Sequence, residues 1–179
     1  LKEGRKAEFP EMVQARVLGG GSSVNGMVYM RGNPQDYDNW AAHGCDGWSY
    51  KDVIPYFRKS ETNERFAGEA HGTEGPLHVS DQRQTLPLTK AWLKACQEQG
   101  MPFNSDFNSG RQLGCGLYQV TMKNGRRCSA ATAYLNPARS RANLSIWSGK
   151  RVTRILVERG RAVGVEYLEN GALKAVRAE

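Results

Sequence analysis

The sequence predicts an α/β chain, α+β by strict classification, on three observations. Leu88, Ala91, Trp92, Ala95 and Cys96 recur at helical spacing and stop at Gly100, the residue type that most often ends a helix. Three strand-like runs, Arg151 to Val157, Ala162 to Leu168 and Ala172 to Arg177, close the chain. The Arg159-Gly160 and Asn170-Gly171 pairs that join them suit two-residue hairpin turns. The 179 residues suffice for roughly one compact unit, or one and a half if a part is shared. With 39% hydrophobic and 24% charged residues, neither disorder nor a collagen-like or repeat architecture fits.

In chain order, residues 1–18 make a polar approach with Met12, Val13, Val17 and Leu18 as its apolar points and no clear period. Gly19-Gly20-Gly21 follows, then Ser22 and Ser23, which are suited to cap a helix, and a short, mostly apolar run from Val24 to Met30. Arg31-Gly32-Asn33-Pro34 breaks that run, and Asp46-Gly47-Trp48 is a turn. Ser49 with Asp52 resembles a capping box opening a helix through Val53, Ile54, Tyr56 and Phe57, in which Pro55 predicts a kink or a short first turn. Thr62 to Gly75 is a polar, Gly-rich surface loop and a boundary between two parts of the fold. Leu77-His78-Val79 reads as a strand, Asn104 to Gly116 as loop, Leu117 to Met122 as strand, Asn124-Gly125 as a turn and Ala130 to Leu135 as a short helix. The three closing strands predict an antiparallel meander.

The 25 Lys and Arg exceed the 18 Asp and Glu by +7, which raises nucleic acid or an anionic membrane as partners. Their positions argue against both. They are scattered, and the densest spots, Arg126-Arg127 and Arg151 to Arg161, read as solvated faces, the second interrupted by Glu158. Cys45, Cys96, Cys115 and Cys128 form no C-x-x-C, and His43, His71 and His78 lack helical metal spacing, so free thiols and no metal are expected. No apolar run approaches the eighteen or so residues of a membrane span. The chain opens at Leu1 without a Met and stops at Glu179 in a strand-like run, and reads as a piece of a longer protein.

The chemistry concentrates at residues 19–28. Three glycines bring backbone N–H groups close to a ligand with no side chain intervening, and a helix starting just after them would add partial positive charge, which together make an anion cradle. A dinucleotide fingerprint from Gly19, or a nucleophile elbow on Ser22, would need Gly where the chain has Val24; a phosphate loop would need Gly-Lys-Ser/Thr. The run alone fits a glycine-rich turn packed on a neighbouring element equally well.

The longer string from Ala15 to Trp40, ARVLGGGSSVNGMVYMRGNPQDYDNW, resembles the first signature of the glucose–methanol–choline (GMC) flavin oxidoreductases. The likeness continues through Gly47-Trp48-Ser49-Tyr50, Asp52 to Phe57, Gly75-Pro76-Leu77, Gly125 to Ser129, Tyr134-Leu135, Asn143-Leu144 and Arg161 to Tyr167, and so covers nearly the whole chain. Within the family it looks most like bacterial choline dehydrogenases and the dehydrogenases of other primary alcohols.

The resemblance implies FAD as cofactor and passage of hydride from an alcohol to flavin N5. The residues it places along FAD are Gly20, Gly21, Asn25, Gly26, Met27 and Val28, the last four near the isoalloxazine, with the backbone of Val152 at the adenine. Some oxidases of the family bond FAD to a His where this chain has Val24, so dissociable FAD is implied here. The family's N-terminal nucleotide fingerprint, second signature and proton-accepting His lie outside this stretch, and no catalytic residue is expected within it. Expected segments are 1–62 and 143–179 in the FAD domain and 63–142 in the substrate domain, whose sheet is antiparallel. Expected partners are an alcohol, choline or another aliphatic or aromatic one, and a quinone or other electron acceptor; the expected location is the cytoplasm or the periphery of a membrane.

Bland roles are expected for the remaining candidates: surface or loop hydrogen bonding for His43, His71 and His78, packing for Trp40, Trp48 and Trp92, and a structural thiol for Cys128. The rivals from other classes are a non-catalytic basic binding module, suggested by the charge, and a serine hydrolase, suggested by Gly-Gly-Ser.

Overall fold

A computed structural model of the chain describes residues 14–178. The approach segment at Met12 and Val13 lies outside them. The chain divides into two compact units, one ending at Arg139 and one beginning at Ser140.

In the first unit a single 3₁₀ turn, Gly20–Ser23, is followed by extended chain, and then by helices α1 (Pro34–Ala42) and α2 (Tyr50–Ser60). The helix expected after Ser23 does not form. Met27 sits at φ 61°, outside the helical region, and the flanking chain is claimed by distant backbone: Tyr29 N donates to Gln119 O at 2.9 Å and Thr121 N donates to Met27 O at 2.8 Å. The serine hydroxyls turn backward, Ser22 Oγ to Gly19 O at 2.6 Å and Ser23 Oγ to Leu18 O at 2.8 Å. They close the preceding turn instead of capping a helix, and no helix dipole contributes to the cradle.

The break expected at Asn33-Pro34 opens α1. Asn33 Oδ1 accepts from Gln35 N at 3.0 Å, Asp36 Oδ2 accepts from Asn33 N at 3.0 Å, and Pro34 takes the first helical position, where no donor is needed. The Ser49/Asp52 box opens α2 as expected, and the helix continues through Pro55 to Ser60. Tyr50 N donates to Asp38 Oδ1 at 2.9 Å, and Tyr37 meets the Phe57 ring edge to face at 5.9 Å, which ties the two helices together.

Strands β1 (Glu61–Asn63) and β2 (Leu77–Val79) pair in parallel, Glu61 opposite Leu77 and Asn63 opposite Val79. A parallel pair needs a crossover of about a dozen residues. Here it is the Gly-rich loop 64–76, folded back so that Asn63 N donates to Gly72 O at 2.8 Å and Gly75 N to Glu61 O at 2.9 Å. Helix α3 (Pro87–Glu98) forms where its spacing predicts, but of the stripe that marks it only Cys96 lies toward the covered face. Leu93 is buried, with Thr89 and Cys96 partly covered on the same face, while Leu88 and Trp92 are 78% and 59% exposed. Trp40 and Trp48 are also half exposed, so the packing expected of the three tryptophans is incomplete among the described residues.

Only Met122–Lys123 (β3) and Arg126–Arg127 (β4) of the next region pair regularly, about Asn124-Gly125, whose φ values of 51° and 74° are those of a type I′ turn. The short helix expected at Ala130 to Leu135 is a π-helical turn, Ala131–Leu135, continued by α4 (Asn136–Ala138). The core gathers Val79, Leu93, Phe107, Cys115, Val120, Met122, Cys128 and Ala133. All four cysteines are free.

The second unit is the expected meander, β5 (Arg151–Glu158), β6 (Arg161–Glu169) and β7 (Ala172–Arg177) in antiparallel order. Both of its turns again hold two consecutive left-handed residues, Arg159-Gly160 and Asn170-Gly171. Tyr167 is buried on β6, with Trp147 against it at 6.0 Å.

Candidate functional site

The glycine run enters the 3₁₀ turn Gly20–Ser23 with Gly19 and Gly20 partly covered and Gly21 exposed, and its backbone bends on itself. Gly19 and Gly20 adopt φ 90° and 55°, and Gly21 O accepts from both Val24 N at 3.2 Å and Asn25 N at 2.9 Å. Gly19 is held at a φ that side-chain-bearing residues rarely adopt, and a Cβ there would also crowd the Ser23 hydroxyl and Ala131. At Gly20, Gly21 and Gly26 a Cβ would meet nothing within 4 Å. The N–H groups of Gly21, Gly26 and Val28 have no acceptor among the described residues.

Residues 27–31 are anchored beneath this loop. Val28 faces Val120 in an isolated antiparallel bridge, Asn108 Nδ2 donates to Tyr29 O at 3.1 Å, Arg31 N donates to Asn108 Oδ1 at 2.8 Å, and Gln112 Nε2 donates to Arg31 O at 2.7 Å. The Arg31 guanidinium is buried on the buried Glu61 carboxylate and donates to Ala70 O at 2.6 Å. His71, 3% exposed, completes a balanced cluster: Nδ1 lies 3.0 Å from Glu61 Oε1 and Nε2 lies 2.9 Å from Asp106 Oδ2. Asn63 Nδ2 adds a bond to Glu61 Oε1 at 2.8 Å and pairs with the Gln119 amide.

Burial works to lower the His71 pKa, but hydrogen bonds to Asp106 and Glu61 and their charges outweigh it and push the imidazole up to about 9. Burial likewise works to raise the Glu61 and Asp106 carboxyls, and the hydrogen bonds from His71, with further help from Asn63 at Glu61 and Asn108 at Asp106, hold both below their ordinary values. Two cations face two carboxylates with both imidazole nitrogens occupied, so the cluster offers no free base and serves as an anchor. The sequence reading misses it. His71 sits in the polar loop the sequence predicts, but buried where a surface position is expected, and its partners at 31, 61 and 106 share no local spacing that would announce them.

The sequence-predicted residues Gly20, Gly21, Asn25, Gly26, Met27 and Val28 thus share one loop of the first unit. Val152 belongs to the second unit, on β5, where it pairs with Tyr167 and is 56% exposed. No group of three or more His, Cys, Asp or Glu among the described residues is placed to hold a metal.

Residues 6–179 match the family model described as GMC oxidoreductase. The chain belongs to the GMC oxidoreductase family. The resemblance carried by residues 15–40 is borne out. This GMC chain is 45% identical over 169 residues to the mitochondrial choline dehydrogenase of Homo sapiens, covering 94% of itself and 28% of that protein. It is 44% identical over 165 residues to the oxygen-dependent choline dehydrogenase of Rhizobium johnstonii, covering 92% of itself and 30% of the relative. Among solved structures it is similar to an FAD-dependent oxidoreductase from Chaetomium thermophilum, with TM-score 0.85 and 31% identity over 93% of this chain and 31% of that one. Pyridoxine 4-oxidase from Mesorbium loti gives TM-score 0.84 and 30% identity, over 92% of this chain and 33% of that one. The chain therefore spans about a third or less of the proteins it matches, and the mixed helix-and-sheet fold holds over nearly all of it.

The GMC loop has the donor set that FAD calls for. Open space beside three glycine positions leaves backbone reachable by a bulky ligand, and uncommitted N–H groups match the phosphates and the flavin carbonyls, which accept. Val24 is 57% exposed on the same loop and carries no group able to bond a flavin covalently.

Proposed function

We propose that the full-length protein is an FAD-dependent dehydrogenase of a primary alcohol of the choline type, and that this chain supplies the loop that holds the flavin. The carrying observation is the coincidence, in a GMC chain, of open glycine backbone at Gly20, Gly21 and Gly26 with uncommitted N–H groups at Gly21, Gly26 and Val28. Bound FAD supplies the acceptor for the hydride leaving the alcohol carbon. The residues of the chain bind and orient. Backbone donors at Gly21, Gly26 and Val28 stabilise negative charge on what they hold, work of the oxyanion-hole kind. Asn25 adds a side-chain donor, Met27 shapes the bend between them, and the backbone of Val152 meets the adenine.

In this reading residues 1–62 and 143–179 serve the FAD domain and 63–142 the substrate domain. The proton acceptor is a His in a part of the protein outside this chain. A quinone or other acceptor reoxidises the enzyme in the cytoplasm or at a membrane periphery; no helix among the described residues is long and apolar enough to cross a membrane. Two relatives named as choline dehydrogenases support choline. A second reading, another aliphatic or aromatic alcohol, draws on the likeness to a pyridoxine 4-oxidase.

The test is the visible spectrum of the purified full-length protein. Flavin bands bleached anaerobically by choline are expected; bleaching by other alcohols but not choline would favour the second reading. A colourless protein that takes up no added FAD would contradict both.

A further inference from the structure

Arg127 reaches the glycine loop from 102 positions away in sequence, Nη1 donating to Asn25 Oδ1 at 2.7 Å and to Ser22 O at 3.1 Å. Its placement is built into the backbone. It ends β4 after the Asn124-Gly125 turn; Cys128 N next to it donates to Thr121 O at 2.9 Å, and Thr121 N donates in turn to Met27 O. A second hook sets the register, Ala130 N donating to Ser22 Oγ at 2.8 Å.

A guanidinium has donors only, so the Asn25 amide atom facing it must be the oxygen. Met27 N donates to the same oxygen at 3.0 Å, and the two donors together fix the amide against a flip. Its acceptor capacity is then spent, while Asn25 Nδ2 has no acceptor among the described residues. A cation on the oxygen also polarises the amide and strengthens its N–H groups as donors.

We propose that Arg127 is a positioning residue that locks the Asn25 amide so that Asn25 faces the cofactor as a donor only. This rests on the flavin reading above and adds to it the residue that orients the loop's single amide side chain. Arg127 itself touches no reacting atom in this role.

The experiment is a double-mutant cycle in the full-length protein with Arg127→Met and Asn25→Ala. FAD affinity is measured by titrating apo-protein, and the flavin reduction potential is measured in the reconstituted forms. Arg127→Met is expected to weaken FAD about tenfold to a hundredfold, the scale of one hydrogen bond to a charged group, and to lower the potential. In the Asn25→Ala background the same substitution is expected to change both far less. Equal losses in the two backgrounds would overturn the proposal, because Arg127 would then act without Asn25. Should Arg127→Met fail to fold, Arg127→Lys carries the cycle, keeping the charge but not the fork, with a smaller loss expected and the same additivity overturning the proposal. Wild-type protein that binds no FAD would overturn the flavin reading itself, a result distinct from additivity.

Discussion

His71 and Glu61 meet at 3.0 Å with both side chains buried, and the second ring nitrogen of His71 lies 2.9 Å from Asp106. The imidazole therefore holds its proton more tightly in the folded protein than in the unfolded chain. With its pKa raised from 6.5 to about 9, its contribution to stability is complete below pH 6.5 and is lost as pH rises through about 9. The melting temperature of the full-length protein is expected to fall across that window, and His71→Gln to flatten the descent. A wild-type profile with no decline from pH 6.5 to 9.5 would contradict the cluster.

Arg31→Met tests the same anchor from its other side. Removing the guanidinium leaves the Glu61 carboxylate buried with half its charge partners gone, and breaking a buried pair in this way costs about 3–5 kcal/mol. Urea unfolding is expected to show a loss of that size. A loss under about 1 kcal/mol, the range of an exposed pair, would mean that the pair is not desolvated.

Gly75→Ala is expected to destabilise because the crossover loop touches backbone there. A Cβ at Gly75 would be driven into the Ser60–Glu61 peptide, which opens β1 and cannot swing aside as a side chain would. Overpacking of this kind costs about 1–3 kcal/mol or more. Unchanged denaturation midpoints would show that the parallel β1–β2 pair yields easily.

The features legible in the sequence are those whose physics is local. Asn124-Gly125 and Asn170-Gly171 announce hairpins because both residue types tolerate the left-handed φ that closes two-residue turns, Arg159-Gly160 does so through its glycine alone, and Ser49 with Asp52 announces α2. Asn33-Pro34-Gln35-Asp36 carries an equally complete helix start, but taken as a break it hides α1. Val24 to Met30 misleads because its conformation is set by residues 119–121, on a strand-like partner nearly a hundred positions on. The same holds for the candidate site. Its glycines and Asn25 are visible as a string, while Arg127, His71 and the missing helix dipole follow from contacts that no spacing encodes.

Val24 carries a prediction about the linkage of the cofactor. It offers no imidazole for a covalent bond, so acid precipitation of the full-length protein is expected to release all flavin into the supernatant. Yellow colour retained in the washed pellet would contradict this.

The claim that FAD lies against the glycine loop is tested most directly at Gly21. Its φ is not left-handed and an added methyl would meet nothing within 4 Å, so Gly21→Ala should leave apo-protein melting unchanged or slightly raised, through a less flexible unfolded chain. Against a bound cofactor the same methyl intrudes on a van der Waals contact at about 1–3 kcal/mol, roughly five- to a hundredfold in affinity. The measurement is FAD dissociation from full-length wild type and Gly21→Ala, side by side with melting of the two apo-proteins. The expected result is weakened FAD with an intact apo-protein; FAD held as tightly as in wild type would mean that the loop is only a turn and that the cofactor lies elsewhere.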